Sequence, residues 1–136
     1  DYQGNLYYTQ GGNYFPVHMI YPNLSGDFAV YTSGFQPEAD EIMNSSLFLN
    51  ALDVALDENK NIYVVDNLNS DVTVFNSQGD YFKKAGYGPD SLKIMIEPCA
   101  VAVDKRGVLY VCDRGNSSIY RYQLSNSLDE DIKPED

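Results

Sequence analysis

The sequence predicts an all-β protein built from repeated units of four antiparallel strands. Three observations carry this reading: an internal repeat, runs of β-branched and aromatic residues cut at short intervals by turn chemistry, and no sustained helical period. Leu52–Asp57 lies over Cys99–Asp104, and the register then holds without a gap. Asp57 falls on Asp104, Tyr63 on Tyr110, Val64 on Val111, Asp66 on Asp113, Asn69 on Asn116 and Phe75 on Tyr122, all at an offset of 47. A looser copy opens the chain. Asn5-Leu6-Tyr7 falls on Asn61-Ile62-Tyr63 at an offset of 56, and Gly26-Asp27-Phe28 on Gly79-Asp80-Tyr81 at 53. A drifting offset places small insertions in loops.

The elements follow in order. The middle copy gives strand A at Val54-Ala55-Leu56, B at Ile62–Val65, C at Val72–Phe75 and D at Tyr81-Phe82, separated by Asp-Glu-Asn-Lys, Asp-Asn-Leu-Asn and Asn-Ser-Gln-Gly turns. The first copy has B (Leu6–Tyr8), C (His18–Tyr21) and D (Phe28–Tyr31) and lacks A; the third has A (99–103), B (108–112) and C (118–122). The best helical candidate, 38–44, is too short and too rich in acids and amides to hold. Four antiparallel strands in about 47 residues match one blade of a β-propeller, so a partial propeller of about three blades is expected. The division is 1–46 for a divergent first blade with its connecting loop, 47–97 for a complete blade, 98–124 for a third blade and 125–136 for an acidic tail.

The pattern D-x-x-x-N-I-Y-V-V-D-x-x-N-S-x-V-x-V-F-x-x-x-G at 57–79, and D-x-x-G-V-L-Y-V-C-D-x-x-N-S-x-I-x-x-Y at 104–122, resembles the NHL repeat family. The resemblance covers about 47–122 closely and 1–46 loosely, and it implies propeller blades around a central channel, commonly six. The chain departs from the motif at Gln10, which stands in place of the Asp, at Lys60, which replaces the turn Gly, and in the last copy, which has no recognisable D strand. Three blades do not close a ring for which four is the usual minimum. The chain is therefore expected to be part of a longer propeller, or half of a ring that another chain completes.

The 136 residues carry 20 Asp and Glu against 9 Lys and Arg, a net charge of -11. Neutralising phosphates needs basic clusters that this chain lacks, so nucleic acid is excluded as a partner. No apolar run is long enough to span a bilayer as a helix. Cys99 and Cys112 are the two cysteines. If Val103 faces Val108 across the third A–B turn, the same pairing sets Cys99 opposite Cys112, within disulfide reach; the competing reading is two small apolar core residues. Asn23, Asn44 and Asn116 open Asn-X-Ser sequons, and with the cysteines they favour an extracellular, secreted setting. Asn116 is also the B–C turn Asn that recurs as Asn69, where capping the turn is the competing role.

The B–C and D–A connections of a blade emerge on one face, where propellers usually bind ligands. That face collects Asp66, Asn69, Asp113, Arg114 and Asn116 from the turns, and Glu38, Asp40, Glu41, Asp90 and Glu97 from the connections. Oxygen-rich groups of this kind suit Ca²⁺, yet an acid repeated in each blade reads first as a turn brace, so no cofactor is expected. His18 is the only histidine and no nucleophile–base motif or phosphate-cradling loop occurs. The favoured function is a scaffold presenting loops to protein or glycan partners, or to further blades. The alternative is part of a propeller enzyme: NHL-like propellers resemble the amidating lyases with histidine-bound metal and the gluconolactonase-like hydrolases with Asp/Glu/Asn-bound ions, and most of the catalytic residues would then lie elsewhere.

Overall fold

The computed structural model describes residues 4, 6–9, 17–21, 30–31, 49–79, 81–88, 90 and 92–123. Asn23, Asn44, Glu38, Asp40, Glu41 and the acidic tail lie outside them. Among the described residues the protein is all-β, with antiparallel strands and no helix. Strands β1 (Leu6–Thr9), β2 (Val17–Tyr21) and β3 (Val30–Tyr31) form one sheet. Strands β4 (Ala51–Leu56), β5 (Ile62–Asp66), β6 (Asp71–Phe75) and β7 (Tyr81–Ala85) form a four-stranded meander, and β8 (Pro98–Val103), β9 (Val108–Asp113) and β10 (Ser118–Gln123) form a third sheet.

The middle sheet is covered on both faces, which is why β5 carries the unbroken apolar run Ile62–Val65, while β6 buries Asp71 and Thr73 among its apolar residues. Side chains alternate across a strand, so Ile62 and Val64 point one way with Phe75, packing with Val17 and Tyr7 of the first sheet. Tyr63, Val65, Val72 and Val74 point the other way and pack with Val101, Leu109, Val111 and Tyr122 of the third. Every residue of β5 and β6 is buried as a result. Full burial of each Val or Ile is worth about 1.5–3 kcal/mol, so these two strands hold the stack together. A polar tie reinforces the second interface: the Asp53 carboxylate of β4 accepts 2.9 Å from the Val101 N–H of β8.

The turns show where sequence pairing and structure part. In the β8–β9 turn the Gly107 N–H donates to the Asp104 carbonyl and the Asp104 N–H to that of Val108, with Gly107 at φ +77°. This left-handed residue is a one-residue bulge, so Val103 pairs with Leu109 and Val101 with Val111, one position beyond the expected register. The same register sets Ala100 opposite Cys112, and a second irregularity between Pro98 and Ala100 puts Pro98 opposite Asp113 and leaves Cys99 as the extra residue. The expected Cys99–Cys112 bond is not formed in the structure: both thiols are free, and the Cys99 thiol lies 3.6 Å from the Cys112 carbonyl oxygen. The β4–β5 turn has the same construction with Lys60 in the glycine's place, at φ +62°.

Candidate functional site

The five residues expected on the ligand-facing edge fall at the β5–β6 and β9–β10 turns, beside the chain entering β4 and β8. Asp66 is fully buried at the end of β5. Its Oδ1 accepts N–H groups from Asn50 (3.1 Å), Leu68 (3.1 Å) and Asn69 (3.0 Å); its Oδ2 accepts from Leu49 (2.6 Å) and the Asn69 side-chain amide (2.8 Å). Asp113 repeats the arrangement 47 residues on. Oδ1 accepts from Glu97 (2.9 Å), Gly115 (3.0 Å) and Asn116 (3.3 Å), and Oδ2 from Ile96 (2.8 Å) and the Asn116 amide (3.1 Å). Each carboxylate thus pins the segment entering its sheet to a turn leaving it. Burial alone would raise the Asp113 pKa, but the N–H groups of Ile96, Glu97, Asn116 and Gly115 outweigh it and hold the carboxyl below its ordinary value.

On each carboxylate, five donors meet about four lone-pair positions. Among the described residues, no group of three or more His, Cys, Asp or Glu side chains is placed to hold a metal ion. The Asn116 nitrogen, where a glycan would attach, donates inward to the Ile94 carbonyl and the Tyr120 hydroxyl, both at 2.8 Å, as well as to Asp113. Arg114 lies at the surface, paired with Glu97 by side chain and by its own N–H to the Glu97 carbonyl. The hydrogen bond from Arg114 lowers the Glu97 pKa, and the same bond raises that of Arg114.

Beside this edge sits a buried ion pair that the sequence pattern did not single out. Asp71, at the start of β6, holds Lys84 at 2.9 Å and Lys93 at 3.6 Å through Oδ2, while its buried Oδ1 has no hydrogen-bond partner among the described residues. Burial raises its pKa against the opposing pull of the two lysines. Gly86 permits this packing: a Cβ there would lie 3.2 Å from the Asp71 Cα, and its φ of +119° is left-handed.

Sequence reasoning also missed the apolar character of the edge. Leu49, Leu68, Leu92 and Ile96 are all exposed, and all lie in the connections that Asp66 and Asp113 brace or in the loop leading to them. The available signal was a lone aliphatic inside polar turn sequence, as in Asn67-Leu68-Asn69 and Ser91-Leu92-Lys93. At the opposite end, a cleft of about 390 Å³ is lined by Asp57, Asn61, Tyr63, Phe82, Lys105 and Gln123, among others. Its buried polar groups serve each other: Asp57 accepts the Asn61 amide at 2.8 Å and the Tyr63 hydroxyl at 2.9 Å. No protein-family model matches the chain, and a search of curated proteins finds no relative.

Proposed function

We propose that the chain is an NHL-like β-propeller segment of an extracellular protein, working as a protein-interaction scaffold without catalytic chemistry of its own. One observation carries the reading: connections braced by Asp66 and Asp113 display Leu49 (60% exposed), Leu68 (63%), Leu92 (65%) and Ile96 (59%) at one end of the sheets. Exposed aliphatic side chains on rigid loops, rimmed by charged groups such as Lys93, Glu97 and Arg114, suit a protein surface. A sugar would ask for flat aromatic faces and free hydrogen-bonding groups, and the turn Asp and Asn side chains are occupied. The acidity and the sequons at Asn23 and Asn44 support the extracellular setting.

The test compares the immobilised chain with a Leu68→Asp/Leu92→Asp/Ile96→Asp variant, both exposed to extracellular medium, with bound proteins quantified. Proteins retained by the native chain should be lost from the triple variant and kept by Lys105→Ala, which alters the opposite end. Identical retention on all three surfaces overturns the proposal. Intact mass of the secreted chain gives the second readout, where hexose-sized increments support the compartment and an unmodified mass counts against it.

A further inference from the structure

We infer that the cleft between the middle and third sheets, at the end away from the aliphatic loops, binds a free amino acid through its ammonium and carboxylate groups. Two turns of one construction flank this cleft of about 390 Å³, a volume within the range of small-molecule sites. In the β4–β5 turn Asp57 accepts the backbone N–H groups of Asn59 and Asn61, both at 2.9 Å. In the β8–β9 turn Asp104 accepts those of Arg106 (2.8 Å) and Val108 (3.0 Å). The braces are the same, but the tips differ. Glu58 and Lys105 hold equivalent places at the offset of 47 and carry opposite charges, and both line the cleft.

These two charges are the uncommitted ones. Asp57 is fully used, since besides the two N–H groups it accepts the Asn61 amide and the Tyr63 hydroxyl. Asp104 and Arg106 neutralise each other through bonds of 3.1 and 2.8 Å. Glu58 and Lys105 are exposed, and among the described residues neither side chain has a hydrogen bond or ion pair, with the other or with a third group. The cleft thus keeps an anion on one side and a cation on the other without letting them meet. Both walls belong to adjoining sheets that share one core, and Phe82 of β7 lies partly buried against that core beside them. A ligand that satisfies this arrangement carries both charges at once: its ammonium to Glu58, its carboxylate to Lys105 and an apolar side chain against the Phe82 ring. A simple anion is repelled by Glu58 and a simple cation by Lys105, which is discrimination by a mismatched charge. The inference does not rest on the protein-interaction role of the far end, so the two fail separately.

Phenylalanine is the probe, titrated into the isotope-labelled chain while the backbone amide signals of Asn59, Asn61, Arg106 and Gly107 are followed. These four should shift saturably with a Kd of about 1 mM, the scale of so small a ligand, while the signals of Leu68 and Ile96 stay in place. N-acetylphenylalanine, which lacks the ammonium, and phenylalanine amide, which lacks the carboxylate, should each bind about tenfold more weakly, the scale of one charge-assisted hydrogen bond. Glu58→Gln should abolish discrimination against the acetylated compound alone, and Lys105→Met discrimination against the amide alone. Both side chains are exposed, so the circular dichroism spectrum should be unchanged in each variant. Absence of saturable shifts at the four cleft signals up to about 10 mM phenylalanine overturns the inference. So do equal affinities of the native chain for the three compounds, or discrimination that survives in both variants.

Discussion

Replacing Asp66 tests whether the repeated carboxylate is a structural brace. Asp66→Ala leaves five N–H groups without their acceptor. Leu49 and Leu68 are largely exposed, so their N–H groups regain water, and the Asn69 amide can turn outward. The backbone N–H groups of Asn50 and Asn69 belong to half-buried residues, and each orphaned donor costs about 1–3 kcal/mol. The expected loss is about 3 kcal/mol, on the order of 10 °C in Tm for a chain of this size. Asp66→Asn keeps one acceptor oxygen for the three donors on Oδ1 but turns an NH₂ toward Leu49 and the Asn69 amide, for a loss of about 1–2 kcal/mol. Urea unfolding at pH 7 by tryptophan-free methods, such as circular dichroism, reads both. A loss below about 1 kcal/mol for Asp66→Ala, outside the range for an orphaned buried donor, would refute the reasoning.

Lys60 occupies the left-handed position that Gly107 fills in the equivalent turn, so Lys60→Gly should stabilise by about 0.5–1 kcal/mol and Gly107→Ala destabilise by about 1 kcal/mol, read by the same urea unfolding. Lys84→Met leaves the buried Asp71 carboxylate with only the more distant Lys93, at 3.6 Å, and should cost about 2–3 kcal/mol, whereas adding Asp71→Asn to it should recover most of the loss; a double-mutant cycle measures the coupling. Acid titration of stability has a defined window. The Arg106 side chain, with backbone N–H groups of Val108 and Arg106, holds Asp104 at about 2 against an ordinary 3.8. Asp113 is likewise depressed. Both contributions are present above the unfolded value and vanish as pH falls through the folded one, so stability should drop between about pH 4 and 2, less steeply in Asp104→Asn.

The 47-residue offset made the architecture legible because the same physical problem is solved twice. Asp66 and Asp113 occupy one place in the sequence pattern and make the same five bonds, and the strands fall where the apolar runs place them. Register was less legible. A bulge adds one residue to a strand without changing its composition, so the pairing around Cys99 and Gly107 slipped by one and Ala100, not Cys99, came to face Cys112. Asp53 was invisible for another reason: its partner is the Val101 backbone, and the equivalent of Asp53 in the third copy is Ala100, so no repetition marks it. Lys84 and Asp71 meet diagonally across two strands, a pairing that only the observed register reveals.

Calcium titration followed through the backbone amide signals of Leu49, Asn50, Ile96 and Glu97 tests the central claim most directly, because those N–H groups point at the two carboxylates that an ion would have to take. If Asp66 and Asp113 are braces, the four signals stay in place up to millimolar Ca²⁺ while the native fold is retained. Saturable shifts of these amides, with a matching calorimetric binding isotherm, would make the repeated acids ligands and contradict the account.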